Sequence, residues 1–266
     1  MTLIVGILCQ NGVVLAADGA ATLSAMGQHT VRQPIKKLEV ISNSIILGVS
    51  GPVGLAQRFG GILRDMWDAR ELANLKAYEA MQLLRRKFFE YVECEMRVAQ
   101  VSKPLIGPNA ATAPAISSTV VALPIRGEPC LFQFDHQCSP EQVTPGLPFV
   151  AIGSGQLIAD PFLAFIKRIF WSEGPPSLSD GLFAAVWTLR HAIDTNPGGV
   201  SDPIQAVVLK KEGKNWIAED LTSHHLEEHE EAIKAAEDHL RKFKSSLLPD
   251  ETGAGSPRIP GQGSSD

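Results

Sequence analysis

The threonine at position 2 carries two groups that can act together in catalysis. Removal of the initiator methionine, which is usual before a small side chain, leaves an α-amine and a hydroxyl on one residue, Thr2. The pKa of a free α-amine is about 7.7–8.0, so part of the amine is neutral near pH 7 and can accept the hydroxyl proton. An amine that serves as base for its own residue's hydroxyl is a known way to activate a weak nucleophile. The competing interpretation is that Thr2 is an ordinary residue at the start of a strand.

The composition is that of a globular protein and excludes several classes. The chain has 266 residues, of which 44% are hydrophobic and 20% charged, and its net charge is −5. This length allows a core without disulfide or metal support, and the apolar content excludes a disordered or collagen-like chain. The acidic balance provides no general basic field for phosphates, so we expect no nucleic-acid partner.

Cysteine usage and hydropathy predict a cytoplasmic protein. The four cysteines (Cys9, Cys94, Cys130 and Cys138) form no CxxC pair, which favours reduced thiols over a disulfide scaffold. No apolar run reaches the roughly 18 residues of a membrane span, so we expect no membrane partner. A strand-like run starts at Leu3, where a signal peptide would have a basic region, so we expect no export segment.

Apolar periodicity predicts hairpins of strands and pairs of helices. The two clearest turns are Asn11-Gly12 and Ser42-Asn43, and a third lies at Arg126-Gly127. Polar or Pro-rich composition predicts loops at 19–34 and 103–116. Strands are predicted at 3–9, 13–17, 37–41, 44–49, 118–123, 130–134, 149–152, 204–209 and 216–218, and helices at 55–67, 81–92, 156–171, 178–194 and 223–247.

This order favours an α/β fold in which antiparallel sheets stack between helical layers. The regular β-α alternation of a doubly wound sheet is absent. We expect one domain over residues 1–218, a helical extension over 219–247 and a disordered tail over 248–266, which is rich in Gly, Ser and Pro.

Several short motifs occur together, in one chain order. The run from Thr2 to Ile7 precedes Asn-Gly-Val-Val-Leu-Ala-Ala-Asp at 11–18, and the others are Thr22, Lys36-Lys37-Leu38, Val49-Ser50-Gly51, Gly153-Ser154-Gly155 and Asp-Thr-Asn-Pro-Gly-Gly at 194–199.

Over residues 2–218 these motifs resemble the proteasome β-subunits, which are N-terminal threonine hydrolases. The β-proteobacterial proteasome homologues are the most similar type, and the heat-shock-locus peptidase that partners an unfoldase is a nearby possibility. The resemblance implies the N-terminal nucleophile hydrolase fold, a four-layer αββα sandwich of two antiparallel sheets between helical layers.

The resemblance also implies a role for each catalytic residue. Thr2 would be nucleophile through its Oγ and base through its amine. Lys37, rather than Lys36, would lower the pKa of Oγ, because the family's lysine directly precedes the Leu38 position. Asp18 would pair with this lysine, and the alternative is a turn aspartate that closes a strand.

Further matched positions surround the nucleophile. Ser154 and Asp194 would orient the amine, and their alternatives are a helix N-cap and a helix-end residue. Gly51 would donate its N–H to the developing oxyanion, and its alternative is a plain strand-to-helix turn. One departure is Pro197, which replaces a serine of the family and has neither hydroxyl nor N–H.

Three positions are assigned to the substrate. Ala21 and Thr22 would lie beside a peptide bound in extended form, and Val49 would form part of the first specificity pocket. Because Ala21 and Val49 are uncharged, we expect apolar P1 side chains.

The function implied is a threonine-type peptidase of a self-compartmentalising double ring, a homo-oligomer of fourteen subunits. Peptides or unfolded proteins would be its substrates, an unfoldase or cap would feed it, and no cofactor or metal is needed. Two alternatives are a catalytically weak ring scaffold, indicated by Pro197, and an amidohydrolase acting on small substrates. His225 and His229 with Glu228 fit the HxxEH pattern of a zinc site, but the acidic helix around them favours a solvated face.

Overall fold

The computed structural model describes residues 2–25, 28–106, 117–195 and 199–247. The strands are β1 (Ile4–Cys9), β2 (Gly12–Ala17), β3 (Ala20–Ala25), β4 (Gln28–Pro34), β5 (Leu38–Ile41), β6 (Ile45–Ser50), β7 (Ser118–Ile125), β8 (Glu128–Phe134), β9 (Pro140–Gln142), β10 (Phe149–Ile152), β11 (Gln205–Glu212) and β12 (Asn215–Asp220). The helices are α1 (Val53–Asp68), α2 (Ala77–Ile106), α3 (Gln156–Phe170), α4 (Leu178–Thr195) and α5 (Ser223–Leu247).

Two five-stranded antiparallel sheets form the centre of the molecule. The first has the order β10-β1-β2-β11-β12 and the second β5-β6-β7-β8-β9, while β3 and β4 form a separate hairpin. Strands β1 and β2 are buried at every position, as expected for strands covered on both faces.

Three apolar layers hold the sheets and helices together. Ile4, Leu15 and Ile46 belong to the layer between the two sheets. A second layer packs the first sheet against α3, α4 and α5, and a third packs the other sheet against α1 and α2. The predicted four-layer αββα sandwich is therefore confirmed.

The hairpins predicted around 11–12 and 42–43 are present, but the first has its turn one residue earlier than predicted, at Gln10 and Asn11. Ser42 and Asn43 have positive φ values of 46° and 56°, as a two-residue hairpin turn requires. The turn at Gln10 and Asn11 joins β1 to β2 in register, with Cys9 opposite Gly12.

Two loop predictions are wrong where the structure describes the chain. Residues 20–25 and 28–34 are strands that pair with each other, because an antiparallel hairpin satisfies its backbone groups whatever its side-chain polarity. Helix α2 continues to Ile106, since Pro104 lies in the last turn and ends the helix only two residues later. The predicted disordered tail at 248–266 lies outside the described residues.

Helix α5 packs on α4 through both apolar and charged contacts. Leu226 and Ile233 are buried, and the Trp187 indole of α4 donates to Glu237 at 3.1 Å. Arg190 of α4 forms an ion pair with Glu230. The C-terminal helix is thus an integral part of the layer outside the first sheet.

We expect Ile233→Ala to lower the free energy of unfolding by about 2–4 kcal/mol, because the substitution leaves a cavity beneath α5. Leu240→Ala on the same helix removes a side chain that is 51% exposed and should change stability by no more than about 0.5 kcal/mol. Urea unfolding of the two variants measures this difference, and equal losses would show that α5 does not pack as described.

Burial also predicts which cysteines react. Burial raises the pKa of Cys9 to about 12, and that of Cys130 and Cys138 to about 11, whereas Cys94 is exposed. Because the thiolate is the reactive form, titration of the folded protein with a thiol reagent at pH 8 should give one fast equivalent. Cys94→Ser should abolish the fast equivalent, and unfolding should release the remaining thiols. A second fast thiol in the folded protein would contradict the burial described.

Candidate active site

A buried carboxylate at the end of β2 organises this region. Asp18 is fully buried, and its Oδ1 accepts hydrogen bonds from the Lys37 Nζ at 2.7 Å and the Leu3 N–H at 2.8 Å. Its Oδ2 accepts longer bonds from the N–H groups of Ala20 and Ser201, each at 3.4 Å. The carboxylate thus has an ion-pair partner and three backbone donors, which compensate for its loss of water.

The Lys37 ammonium is held beside the start of β1. Its side chain is only 6% exposed, and burial lowers the pKa of Lys37 while the contact with Asp18 opposes that shift. One oxygen of Asp18 accepts from both Lys37 and Leu3, the residue that follows Thr2. Asp18 Oδ1 therefore bridges the Lys37 ammonium and the backbone N–H of the residue next to Thr2.

A glycine-rich loop after β10 holds the backbone of Thr2. The Thr2 N–H donates to Ser154 Oγ at 3.2 Å, and the Thr2 carbonyl accepts from the Gly155 N–H at 3.2 Å and from Ser154 Oγ at 3.4 Å. Gly153 has a φ of 97°, and a Cβ built there would lie 2.2 Å from the Thr2 carbonyl oxygen. Only glycine permits this approach, and it leaves Ser154 in contact with the nitrogen of Thr2.

Gly51 lies between β6 and α1 and is exposed. Its N–H makes no hydrogen bond to any residue in the described part of the chain. Strand β6 belongs to the second sheet, where Val49 lies opposite Thr119 of β7. Val49 is half-buried and packs against the apolar layer between this sheet and helices α1 and α2. A donor with no protein partner at a strand end is available to an incoming ligand.

The predicted substrate positions Ala21 and Thr22 lie on β3. They are opposite Gln33 and Arg32 of β4, and β3 pairs with no other strand of the described structure. The second edge of β3 therefore has backbone groups available for a further strand.

Asp194 is not brought to Thr2 by the contacts that the structure describes. It lies in the last turn of α4 and is exposed, and its side chain makes no hydrogen bond or ion pair within the described ranges. Pro197 lies outside the described residues. The chain is described again from Gly199, and the next residue, Val200, is buried and packs near Gly155.

Sequence reasoning missed Ser201, whose backbone holds Asp18. Its N–H donates to Asp18, and its carbonyl accepts from the Gly19 N–H at 3.0 Å. No side-chain pattern signals such a backbone contact, because Ser201 and Asp18 are 183 positions apart. The sequence indicates Gly153 only as part of the Gly153-Ser154-Gly155 motif, and it does not indicate the close approach to Thr2 that requires a glycine there.

The histidine pattern on α5 assembles no metal site. Burial lowers the pKa of His229, while the Nδ1 of His225 accepts from the Thr222 N–H at 3.2 Å in the first turn of the helix. Among the described residues, no three His, Cys, Asp or Glu side chains are grouped so that they could bind a metal ion. No helix within the described ranges combines the length and the apolar character needed to span a bilayer.

Solved structures with the same fold include Anbu proteins from three bacteria. Anbu (ancestral beta-subunit) from Yersinia bercovieri is 16% identical with a TM-score of 0.67, and covers 94% of this chain and 99% of its own. Anbu from Hyphomicrobium sp. strain MC1 is 16% identical with a TM-score of 0.63, covering 94% and 100%. The helical assembly of the Anbu complex from Pseudomonas aeruginosa is 17% identical with a TM-score of 0.65, covering 94% and 98%. At these identities the likeness establishes the fold alone.

The sequence itself matches a family model over most of its length. No curated protein matches the chain. The model of the family described as proteasome subunit matches residues 2–165, which include Thr2, Asp18, Lys37 and Ser154. This chain therefore belongs to the proteasome subunit family.

Proposed function

We propose that the chain is a threonine-type peptidase whose nucleophile is the Oγ of Thr2. The observation that carries this proposal is the buried Lys37–Asp18 ion pair, which shares a carboxylate oxygen with the backbone next to Thr2. Removal of Met1 would convert the Thr2 amide nitrogen, which contacts Ser154, into a free α-amine. A base, a hydroxyl and a cation would then be held together.

The chemistry follows from these groups. Oγ attacks the carbonyl carbon of the scissile amide, and the α-amine accepts the hydroxyl proton. The protonated amine then donates this proton to the leaving nitrogen, the C–N bond breaks, and an acyl ester remains on Thr2. Water, deprotonated by the same amine, attacks the ester, and the amine returns this proton to the Thr2 Oγ as the second product leaves. Peptide and water are the only reactants that this cycle consumes.

Lys37 supports this cycle electrostatically. A buried ammonium favours the alkoxide form of a nearby hydroxyl and so lowers the pKa of Oγ. Burial makes each charge interaction stronger than it would be in water, because fewer solvent dipoles screen it. Asp18 keeps the ammonium in place and fixes its direction.

The exposed N–H of Gly51 is the proposed oxyanion donor. It lies at the end of β6 with no protein acceptor among the described residues. A donor of this kind typically lowers the barrier by about 3 kcal/mol. Ala21 and Thr22 would bind the peptide along the unpaired edge of β3 by strand addition, and Val49 would favour an apolar P1 side chain.

We further propose that the protein is a cytoplasmic homo-oligomeric ring that encloses its active sites and receives unfolded substrates from an unfoldase or cap. Large apolar side chains of α3 are exposed in the single chain, with Leu157 87%, Ile169 53% and Phe170 52% accessible. Such patches are typical of surfaces that contact other subunits. The narrower likeness to the β-proteobacterial homologues stays a prediction, since the matched structures described above are Anbu proteins.

A catalytically weak ring scaffold is the second candidate. The position of Asp194, exposed and without a described contact to Thr2, favours it, as does the proline at 197. In that case Ser154 alone would orient the amine. The two candidates differ in whether Thr2 reacts.

Intact mass before and after treatment with an electrophilic peptide inhibitor separates the candidates. We expect the purified protein to begin at Thr2 and to gain one inhibitor per chain, with peptide mapping that places the adduct on Thr2. The Cys94→Ser background removes the one exposed thiol described. Thr2→Ala in this background should bind none and hydrolyse fluorogenic peptides at least about a thousandfold more slowly. A native mass without adduct, with correct folding, would support the scaffold instead.

A further inference from the structure

We propose that Gln205 is a positioning residue that aims Lys37 at Asp18. This inference rests on the proposed function of Thr2, because it assigns Gln205 to the same reaction. Gln205 is the first residue of β11 and lies opposite Ala17 of β2, directly before Asp18 in the chain. The contacts described for its side chain go to the segment that carries Lys37, and none of them reaches Thr2.

The Gln205 amide binds the segment that carries Lys37 at two points. Its Oε1 accepts from the backbone N–H of Lys37 at 3.0 Å, and its Nε2 donates to the carbonyl of Ile35 at 2.5 Å. The two bonds bracket Lys36. One side chain therefore fixes the backbone on both sides of a single residue.

Residues 35–37 depend on this contact because they belong to no strand. Backbone groups outside a ladder need other partners when water is excluded. The Ile35 N–H donates to the Gly19 carbonyl at 2.9 Å. Gln205 provides the partners of the Ile35 carbonyl and the Lys37 N–H. The segment is thereby held against the end of the first sheet, although it leads into β5 of the second.

This attachment determines where the two adjacent lysines point. Lys36 extends to the surface, where it forms an ion pair with Asp220 and is 58% exposed. Lys37 enters the interior and reaches Asp18 with 6% exposure. A lysine side chain is long and flexible, so fixing its backbone origin restricts the positions that Nζ can occupy. Loss of the amide would let Lys37 move away from Thr2.

At neutral pH an amide can make both bonds with one side-chain end, and an ionised carboxylate cannot. The amide offers one donor and one acceptor side, whereas an ionised carboxylate offers acceptors only and would repel the Ile35 carbonyl. A sequence signal was present, because Gln205 is a polar residue in the otherwise apolar run 204–209. A half-buried amide at such a position needs specific partners.

The catalytic test compares Gln205→Leu and Gln205→Glu with the unsubstituted protein on a fluorogenic peptide. Gln205→Leu should lower kcat about tenfold to hundredfold with KM within about twofold, since misplacement of a supporting group affects the chemical step. Gln205→Glu should be equally slow at pH 8. Its activity relative to the unsubstituted protein should rise as the pH falls towards 5, because a protonated Glu regains a donor and an acceptor. The ratio taken at each pH removes the pH dependence that the two proteins share.

Asp220→Asn is the matched control, because it breaks the exposed ion pair of Lys36 on the same segment. Its kcat should stay within about twofold of the unsubstituted value. An unchanged kcat in Gln205→Leu would overturn the positioning role. So would a Gln205→Glu variant whose activity relative to the unsubstituted protein does not change with pH.

Lysine footprinting provides a readout that does not depend on activity. Brief acetylation of the native protein followed by peptide mass spectrometry should modify Lys36 and spare Lys37. In Gln205→Leu, modification of Lys37 should rise at least about fivefold relative to Lys36, as expected when a buried amine becomes accessible. Continued protection of Lys37 would overturn the inference, whereas an inactive but correctly protected unsubstituted protein would overturn only the proposed peptidase function.

Discussion

The buried ion pair between Lys37 and Asp18 is the interaction on which the arrangement around Thr2 depends. Burying two charges costs more than their attraction returns unless further hydrogen bonds satisfy them. Three backbone N–H groups complete the shell of Asp18, and they come from Leu3, Ala20 and Ser201. These donors lie on three separate stretches of chain, so the ion pair joins the segments that surround the candidate nucleophile.

The sandwich explains why these segments meet. Asp18 follows β2 of the first sheet, and Lys37 precedes β5 of the second, so their contact links the two sheets at one end. Strand β1 begins at the same end because it is antiparallel to β2, and β10 ends there because it is antiparallel to β1. Thr2, the Lys37 cation and the loop that holds the Thr2 backbone are consequently fixed by rigid strands, which position groups more accurately than free loops.

Local patterns in the sequence predicted most of the architecture. Ser42 and Asn43 specify their turn through backbone conformations that few residues adopt, and apolar runs specify the buried strands. The hairpin of β3 and β4 was not predicted, because its polar composition resembles that of a loop. Its strands pair through backbone hydrogen bonds, which the side-chain pattern does not indicate. The grouping of Thr2, Asp18, Lys37 and Ser154 followed from family resemblance, and spacing alone would not have revealed it. Ser201 and Gln205 act through long-range contacts, separated from their partners by 183 and 168 positions, and no local pattern encodes these.

The most direct test of the central claim measures how fast Thr2 reacts when its neighbouring cation is removed. Lys37→Met keeps the length and apolar stem of the lysine, and Asp18 retains its three backbone donors. In the Cys94→Ser background, the rate of covalent modification of Thr2 should fall at least about a hundredfold in Lys37→Met and stay near the unsubstituted rate in Lys36→Met. Because Lys37→Met leaves a buried carboxylate without its cation, we expect a lower unfolding temperature, and a cooperative unfolding transition well above the assay temperature would confirm that both variants are folded. Modification of Thr2 at an undiminished rate in Lys37→Met would contradict the account, because the hydroxyl would then be activated without the buried ammonium.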